Sequence, residues 1–557
     1  MDQAFIQAMQ TGYALDEPAL TLGSPMLGGE VASQVQVRMA LAMANRHGLI
    51  AGATGTGKTK SLQLMAGQLS DAGVPVFISD IKGDVTGIAA PGDATDPRLQ
   101  ARVASLGMTY RPEAHPVEFL SLSGQLGATV RASLHSFGPL LLSKVMELND
   151  TQSAVLTLVF RYCDDNQLPL LDLADLRTTL QYLGSDAGRA ALADYGGMSD
   201  ATLGVLLRDL ITLEASGAAK FFGEPEFDVM DLMRTTPDGK GIVSVLELSD
   251  VMEQPQLFST FMLWMLAQLY HVLPEMGDLP KPKLAFFFDE AHLLFDQASK
   301  PLLDQIELTA RLIRSKGVGV YFSTQSPTDV PDAVLAQLGN RVQHALRAFT
   351  PNDADALRKA SRTFPSSAFY PQVDQVITSL GIGEALVTVL APNGVPTPLA
   401  ATRLEPPDSR MGALDPATFQ GLVASGSLRA KYGTPVDPQS AREIITARIQ
   451  QAQAAAAQQV GVAPTGVAPT GVAPTAAPTY AQGVQAERAR QAAIRAQQAE
   501  TRAEQAQARA AAKAQAAAAR QRQRSIDTGI RTAGRILTSR TGQDVVRSVF
   551  GTLFGKH

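Results

Sequence analysis

The sequence predicts an α/β fold: a mostly parallel central sheet, an inserted helical subdomain, and a low-complexity, helical or disordered C-terminal tail. Three observations carry that expectation. Seven short apolar, β-branched runs are separated by helical patterns, the alternation of a parallel sheet covered on both faces. Residues 52–59 read Gly-Ala-Thr-Gly-Thr-Gly-Lys-Thr, a complete G-x-x-x-x-G-K-[ST] phosphate loop of the P-loop NTPase type, placed between an apolar run and a helical pattern. Residues 283–290 form another apolar run, which ends in the adjacent carboxylates Asp289 and Glu290.

The strand-like runs lie at 48–53, 75–80, 116–122, 241–248, 283–289, 317–324 and 341–349. A last pair, 384–390 and 395–403, is joined by Ala391-Pro392-Asn393-Gly394 and reads as a β-hairpin with an Asn-Gly turn that closes the domain. The distance along the chain from Lys58 to Asp289 far exceeds a minimal crossover, so residues 139–235 are assigned to a helical insertion. Helical periodicity there covers 140–162, 173–183 and 202–213, and a structural role is the default. The core then divides into residues 1–138, with the phosphate loop, and 236–405, with the acidic strand and the hairpin. Residues 258–273 make the most apolar helix, but it carries Gln268 and His271 and is shorter than the ~20 residues of a membrane span, so it reads as a core helix.

Beyond 405 the pattern loosens. Residues 406–460 read as short helices and linker, and three copies of Gly-Val-Ala-Pro-Thr make 461–480 an extended spacer, because a proline every five residues prevents a helix. Residues 481–524, rich in Ala, Gln and Arg, are helix or disorder without an apolar face. Residues 525–557 set Ile530, Leu537, Val546, Val549 and Phe550 at helical spacing among arginines, a basic amphipathic terminus suited to a partner helix or an anionic surface.

A hydrophobic share of 45% is enough for one large α/β body. The net charge of −5 conceals an asymmetry: residues 485–557 hold fourteen Lys or Arg against five Asp or Glu, +9, which leaves −14 for the rest. An acidic body argues against a generally cationic nucleic-acid surface, although a channel could still be positive locally. The single cysteine, Cys163, excludes a disulfide framework and a cysteine metal site, and the first residues carry no secretory signal, so the expected location is cytoplasmic.

The chemistry follows from the loop and the strand ends. Gly52, Gly55 and Gly57, with Thr54 and Thr56, let backbone N–H groups surround a phosphate, Lys58 reaches the β- and γ-phosphates of a nucleoside triphosphate, and Thr59 holds Mg²⁺. Asp289 is assigned to the metal and Glu290 to the base that activates water. Because ligands of open parallel sheets lie beyond the carboxyl ends of strands, Asp80, Asp84 and Gln325 are expected at the same place, Gln325 as a γ-phosphate sensor. Asp84 could instead cap a turn, and His292 either positions Glu290 or packs under the sheet tip.

The phosphate loop, Asp80-Ile81-Lys82-Gly83-Asp84, Phe288-Asp289-Glu290-Ala291-His292, Arg311 to Gly317, Ser323-Thr324-Gln325 and Leu338 to Gln343 together resemble the HerA/FtsK superfamily. Within it the chain is most similar to bacterial HerA-like ATPases of a domain of unknown function, from roughly residue 20 to 405. That resemblance also covers Glu147 to Gln152, Phe221 to Pro225 and Arg347 to Pro351. It implies a RecA-like fold, a homo-oligomeric and in relatives hexameric ring with ATP between subunits, and DNA in the channel. It further implies an arginine acting in trans on the transferring phosphoryl group, for which Arg314 and Arg311 match by position and Arg347 is the next choice. The expected function is an ATP-hydrolysing ring motor on non-sequence-specific DNA. The alternative is an ATP-gated assembly or signalling protein whose client is a protein or a membrane surface.

Overall fold

A computed structural model describes residues 2–252, 255–295 and 300–460 of the 557. Residues Met1–Gly461 form one compact unit. The repeat spacer, the Ala/Gln/Arg-rich stretch and the basic terminus lie outside the described residues.

Among the described residues thirteen strands make one sheet: β1 (Ala19–Leu27), β2 (Glu30–Val31), β3 (Val37–Ala40), β4 (Gly48–Ala51), β5 (Val76–Asp80), β6 (Val117–Ser121), β7 (Ala128–Thr129), β8 (Val243–Glu247), β9 (Leu284–Phe288), β10 (Val318–Thr324), β11 (Asn340–His344), β12 (Glu384–Thr388) and β13 (Ala400–Leu404). Their order is β2-β1-β13-β12-β11-β4-β10-β9-β5-β8-β6-β7, with β3 also paired to β1. From β11 to β7 every pairing is parallel, so the carboxyl ends of β4, β5, β8, β9 and β10 share one edge. The remainder is antiparallel.

Side chains of the central strands alternate between two cores, as a sheet buried on both faces requires. Phe286 and Phe288 point to one face with Phe77 and Phe322, while Ala285, Phe287 and Tyr321 point to the other. Rings stack along the sheet, Phe77 on Phe286 at 4.1 Å and Phe287 on Tyr321 at 4.8 Å between centroids. The second face is covered by helix Lys58–Asp71, which follows the phosphate loop, and by helix Gln3–Gly12 through Phe5 and Met9.

The helices between β7 and β8 share the first core. Helices Leu134–Val145, Asp150–Asp165, Leu173–Leu183 and Asp200–Ala215 pack with helix Pro255–Val272, whose Phe261 and Trp264 are fully buried. The periodicity over 140–162 is broken into two helices at Asn149. Its side chain accepts from Gln152 N at 3.0 Å while Gln152 Oε1 accepts from Asn149 N at 2.8 Å, a capping box that restarts the helix. No described helix is long and apolar enough to cross a membrane.

Two features at the sheet edge depart from the sequence expectation. The hairpin forms, with Glu384 opposite Arg403 and Gly394 at φ 80° in its turn, but it does not close the sheet. β13 pairs with β1, a strand that Gly23 and Pro25 conceal. A Cβ at Gly23 would lie 2.1 Å from Arg403 O, so only glycine lets the two backbones meet, and a register shift between Thr21 and Gly23 accommodates β3. The run over 341–349 is shorter than expected: the strand ends at His344, and Ala345 then accepts from Ala53 N at 2.8 Å.

The segment after β13 docks back on the body through helices Pro416–Ser425, Ser427–Tyr432 and Ala441–Val460. Leu428, Tyr432, Ala441 and Ile445 join the first core. Ser440 and Arg442 N bind Asp175, and the Tyr432 hydroxyl accepts from Asp228 N at 3.1 Å.

Candidate nucleotide site

The phosphate loop leaves the carboxyl end of β4 and runs into helix Lys58–Asp71. Gly52 N donates to Thr324 O at 3.1 Å, and Thr56 donates from its hydroxyl to Ala53 O at 2.7 Å. Gly55 at φ 79° and Gly57 at φ 113° occupy left-handed backbone that turns N–H groups inward, and a Cβ at Gly57 would also press on Gly383 N at 3.3 Å. Lys58 Nζ donates to Gly52 O at 2.8 Å, which parks it across the loop. Burial holds this amine below its ordinary value, against the opposing pull of Glu290 and then Asp289, so both acids face it.

The acids arrive from neighbouring strand ends. Asp80, Asp84 and Asp289 present one oxygen each within 4.8 Å of one another, and Thr59 Oγ1 lies 3.4 Å from Asp84 Oδ2. Asp80 is the tip of β5 and accepts from Lys82 N, Gly83 N and Val85 N at 3.1, 2.8 and 2.8 Å, which shapes the turn carrying Asp84. Asp289 accepts from Ser323 Oγ at 2.8 Å, while its other oxygen and Asp84 Oδ1 are buried without a partner. Burial, then the neighbouring acids, pushes Asp289 up to about 7; burial and Asp84 push Asp80 up to about 6. Buried, unpartnered oxygens in an acidic cluster beside a threonine hydroxyl fit a hard divalent cation, which takes oxygen ligands.

Glu290 does not simply continue the strand. Its φ of 48° is left-handed, a conformation that costs a non-glycine residue roughly 1–2 kcal/mol, and it turns the carboxylate away from the Asp289 cluster. There it pairs with Lys82 Nζ and lies 3.3 Å from His292 Nδ1. Burial acts to raise Glu290, but Lys82, Lys58 and His292 together hold it below its ordinary value, so it is a carboxylate.

Gln325 follows β10 and lines a cleft of about 680 Å³ with Thr54, His292, Asp329 and Arg347. Arg347 is exposed there and donates to Thr378 O at 2.6 Å. Arg311 and Arg314 are not brought to this site. Both are exposed at the end of helix Lys300–Ile313 and in the turn before β10, so the seven-residue strand, about 20 Å long, separates them from their own chain's loop.

Three further residues belong to the site without having been singled out. Lys82 holds Glu290. His344, fully buried, lies 2.9 Å from Ser61 Oγ behind the loop; burial and Lys58 lower it to about 4, so it is neutral. Glu247, the tip of β8 in register with Asp80, is pushed up to about 9 by burial and by Asp80, Asp250 and Asp84. The signal for Glu247 was present: its strand is parallel to β5 and also ends in an acid.

A strand, phosphate loop and helix facing carboxylates at the tips of β5 and β9 define a P-loop ATPase on a RecA-like sheet. The chain belongs to the helicase HerA-like C-terminal family, whose model matches residues 26–557. Among solved structures, the bacterial conjugative coupling protein TrwBdeltaN70 in its unbound form is 16% identical, with 73% of this chain and 93% of that one covered at a TM-score of 0.47. TrwB with the ATP analogue ADPNP is 17% identical, with 72% and 98% covered at 0.47. VirB4 of Thermoanaerobacter pseudethanolicus is 13% identical, with 70% and 98% covered at 0.40. No curated protein matches the chain.

Proposed function

We propose that this protein is an ATP-hydrolysing motor of the HerA type that works as a homo-oligomeric ring, a hexamer in the resemblance, on double-stranded DNA without sequence preference. The observation that carries the chemistry is the convergence of Lys58, Thr59, Asp84, Asp289 and Glu290 on one edge of the sheet. Mg²⁺ would be held by Thr59 and Asp289, with Asp80 and Asp84 around it, and would supply charge neutralisation for the triphosphate. Lys58 leaves Gly52 O for the phosphate oxygens. Glu290 accepts the proton of the attacking water as that water's oxygen bonds to the γ-phosphorus and the bond to ADP breaks. Gln325, in the adjoining cleft, donates to the γ-phosphate and loses that partner after release.

The distance of Arg311 and Arg314 from their own loop supports a role in trans, each serving the site of the next subunit, where an arginine is worth roughly 10³–10⁵ in rate. Arg347, in cis beside Gln325, is then left to the nucleotide of its own chain. Turnover measured with and without duplex DNA, beside sedimentation with a non-hydrolysable ATP analogue, tests this function. DNA stimulation and a nucleotide-dependent ring are expected; turnover indifferent to every nucleic acid, with no salt-sensitive binding, would overturn it.

The charge balance of −14 before residue 485 favours a second function, an ATP-gated assembly protein docking a protein or membrane client through the basic terminus. Deleting residues 461–557 separates the two. Loss of client binding with ATPase intact supports the second, and retained DNA stimulation supports the first.

A further inference from the structure

The phosphate loop is flanked by two clefts. The one at Ala53 and Thr54 is of mixed character, with Gln325, Asp329 and Arg347 beside Leu346 and Phe349. The other, about 550 Å³, opens beside Gly57, Lys60 and Ser61, and neither Asp289 nor Glu290 lines it. Its walls are apolar, made by Leu99, Ile382, Pro406, Pro407 and Met411. A triphosphate whose γ-phosphate lies toward Glu290 directs its nucleoside to this second cleft, where flat apolar walls suit a purine.

Two of the charged groups around that cleft, Arg102 and Asp96, are committed to backbone partners. Arg102 donates to Ile382 O at 2.6 Å, Gly383 O at 2.9 Å and Leu404 O at 3.3 Å. Asp96 accepts from Arg98 N at 2.7 Å as a helix cap, and Lys60 faces Asp84 and Asp80. Arg98 is exposed. Of the two acids in the lining, Asp96 and Glu405, it is Glu405, half-buried, that has no hydrogen bond or ion pair from its side chain among the described residues. Burial alone pushes its carboxyl up to about 7, with no cation to oppose it. Its oxygens are not sealed from solvent, so a bound ligand can offer them a donor.

We propose that this cleft is the nucleoside subsite and that Glu405 is its specificity residue, accepting a hydrogen bond from the 6-amino group of adenine. Guanine sets a 6-oxo acceptor at the same edge, and two acceptors repel, so the subsite selects adenine nucleotides. The inference rests on the assignment of the loop as the ATP site and adds to it which base is read and by what.

Calorimetric titration of the full chain with ADP, GDP and 2′-deoxy-ADP in Mg²⁺ tests this without turnover. The parent is expected to bind ADP at least tenfold more tightly than GDP, about 1.4 kcal/mol, with 2′-deoxy-ADP tracking ADP. Glu405→Ala should bring ADP to within about threefold of GDP. Glu405→Gln, nearly isosteric, should narrow the ratio too, because its amide can turn its NH₂ toward the 6-oxo group. An ADP-to-GDP ratio unchanged in both variants, equal weakening of both nucleotides, or a Glu405 effect that disappears with 2′-deoxy-ADP would overturn the assignment, the last pointing to the ribose. ADP affinity insensitive to Lys58→Ala would instead remove the ATP-site assignment beneath it.

Discussion

Glu290→Gln separates chemistry from binding and from stability in one substitution. The Glu290 side chain is 5% exposed and its partner Lys82 is 47% exposed, so the amide leaves an ammonium that is half in water already and can relax outward. The expected stability change is therefore within about 1 kcal/mol, the range of partly exposed ion pairs. Removing a general base costs roughly 10²–10⁴ in rate, about 3–5 kcal/mol on the barrier. ATP affinity should hold or rise, because a negative charge near the γ-phosphate is gone. Phosphate release under saturating ATP, a nucleotide titration and a thermal melt on the same preparation measure the three quantities. Turnover within a factor of about three of the parent, in a protein that Lys58→Ala inactivates, would show that another group accepts the proton.

Asp289→Asn should reverse the usual relation between function and stability. It relieves crowding among Asp80, Asp84 and Glu290 while keeping an acceptor for Ser323, so the nucleotide-free melting temperature is expected to rise by roughly 2–4 °C for each kcal/mol of relief, with Mg²⁺-dependent ATP binding lost; a lower melting temperature would contradict the electrostatic assignment. Gly57→Ala should cost roughly 1–3 kcal/mol and weaken nucleotide binding, since φ of 113° disfavours any side chain and Gly383 leaves no room; unchanged affinity in a titration would count against the loop geometry. His115, buried between Asp408 at 2.9 Å and Asp71 at 3.6 Å, is raised to about 9: burial acts to lower it, but the two carboxylates outweigh that, with Lys240 beside them on Asp71. A raised histidine contributes stability that is complete below about 6.5 and lost as pH rises through 9, by about 1.4 kcal/mol per pH unit at most. Denaturant unfolding from pH 6 to 10 should show that loss, and His115→Gln should flatten it. Trp264→Ala should destabilise by roughly 3–5 kcal/mol, because the ring is fully buried between the sheet and the helical layer.

What the sequence disclosed was set by local grammar. The phosphate loop, the acid pair after Phe288 and the Asp80 to Asp84 turn each consist of residues whose chemistry depends on near neighbours, and the structure places them on one strand edge. β1 escaped because Gly23 and Pro25 break a strand pattern, although Gly23 lets β13 approach and Pro25 sits within the ladder opposite Thr402. Lys82 and His344 act through partners 208 and 283 residues away, and no local pattern marks such pairings, whereas Glu247 could have been read from the acid that ends its own strand. The apolar residues of the segment after 405 are scattered among prolines, glycines and polar residues without one clear period, yet Leu428, Tyr432 and Ile445 fix it to a core that other elements have already built. The arginines before β10 lie at the far end of that strand from their own loop, so the role proposed for them depends on a second subunit that no local pattern could reveal.

A crystal structure with Mg²⁺ and a non-hydrolysable ATP analogue is the most direct test. The γ-phosphate should sit within hydrogen-bond reach of Lys58 Nζ, with the metal between Thr59 and Asp289 and a water between the phosphorus and Glu290. A nucleotide whose phosphates or metal lie away from Asp289 and Glu290 would contradict the shared site on which the proposed chemistry depends.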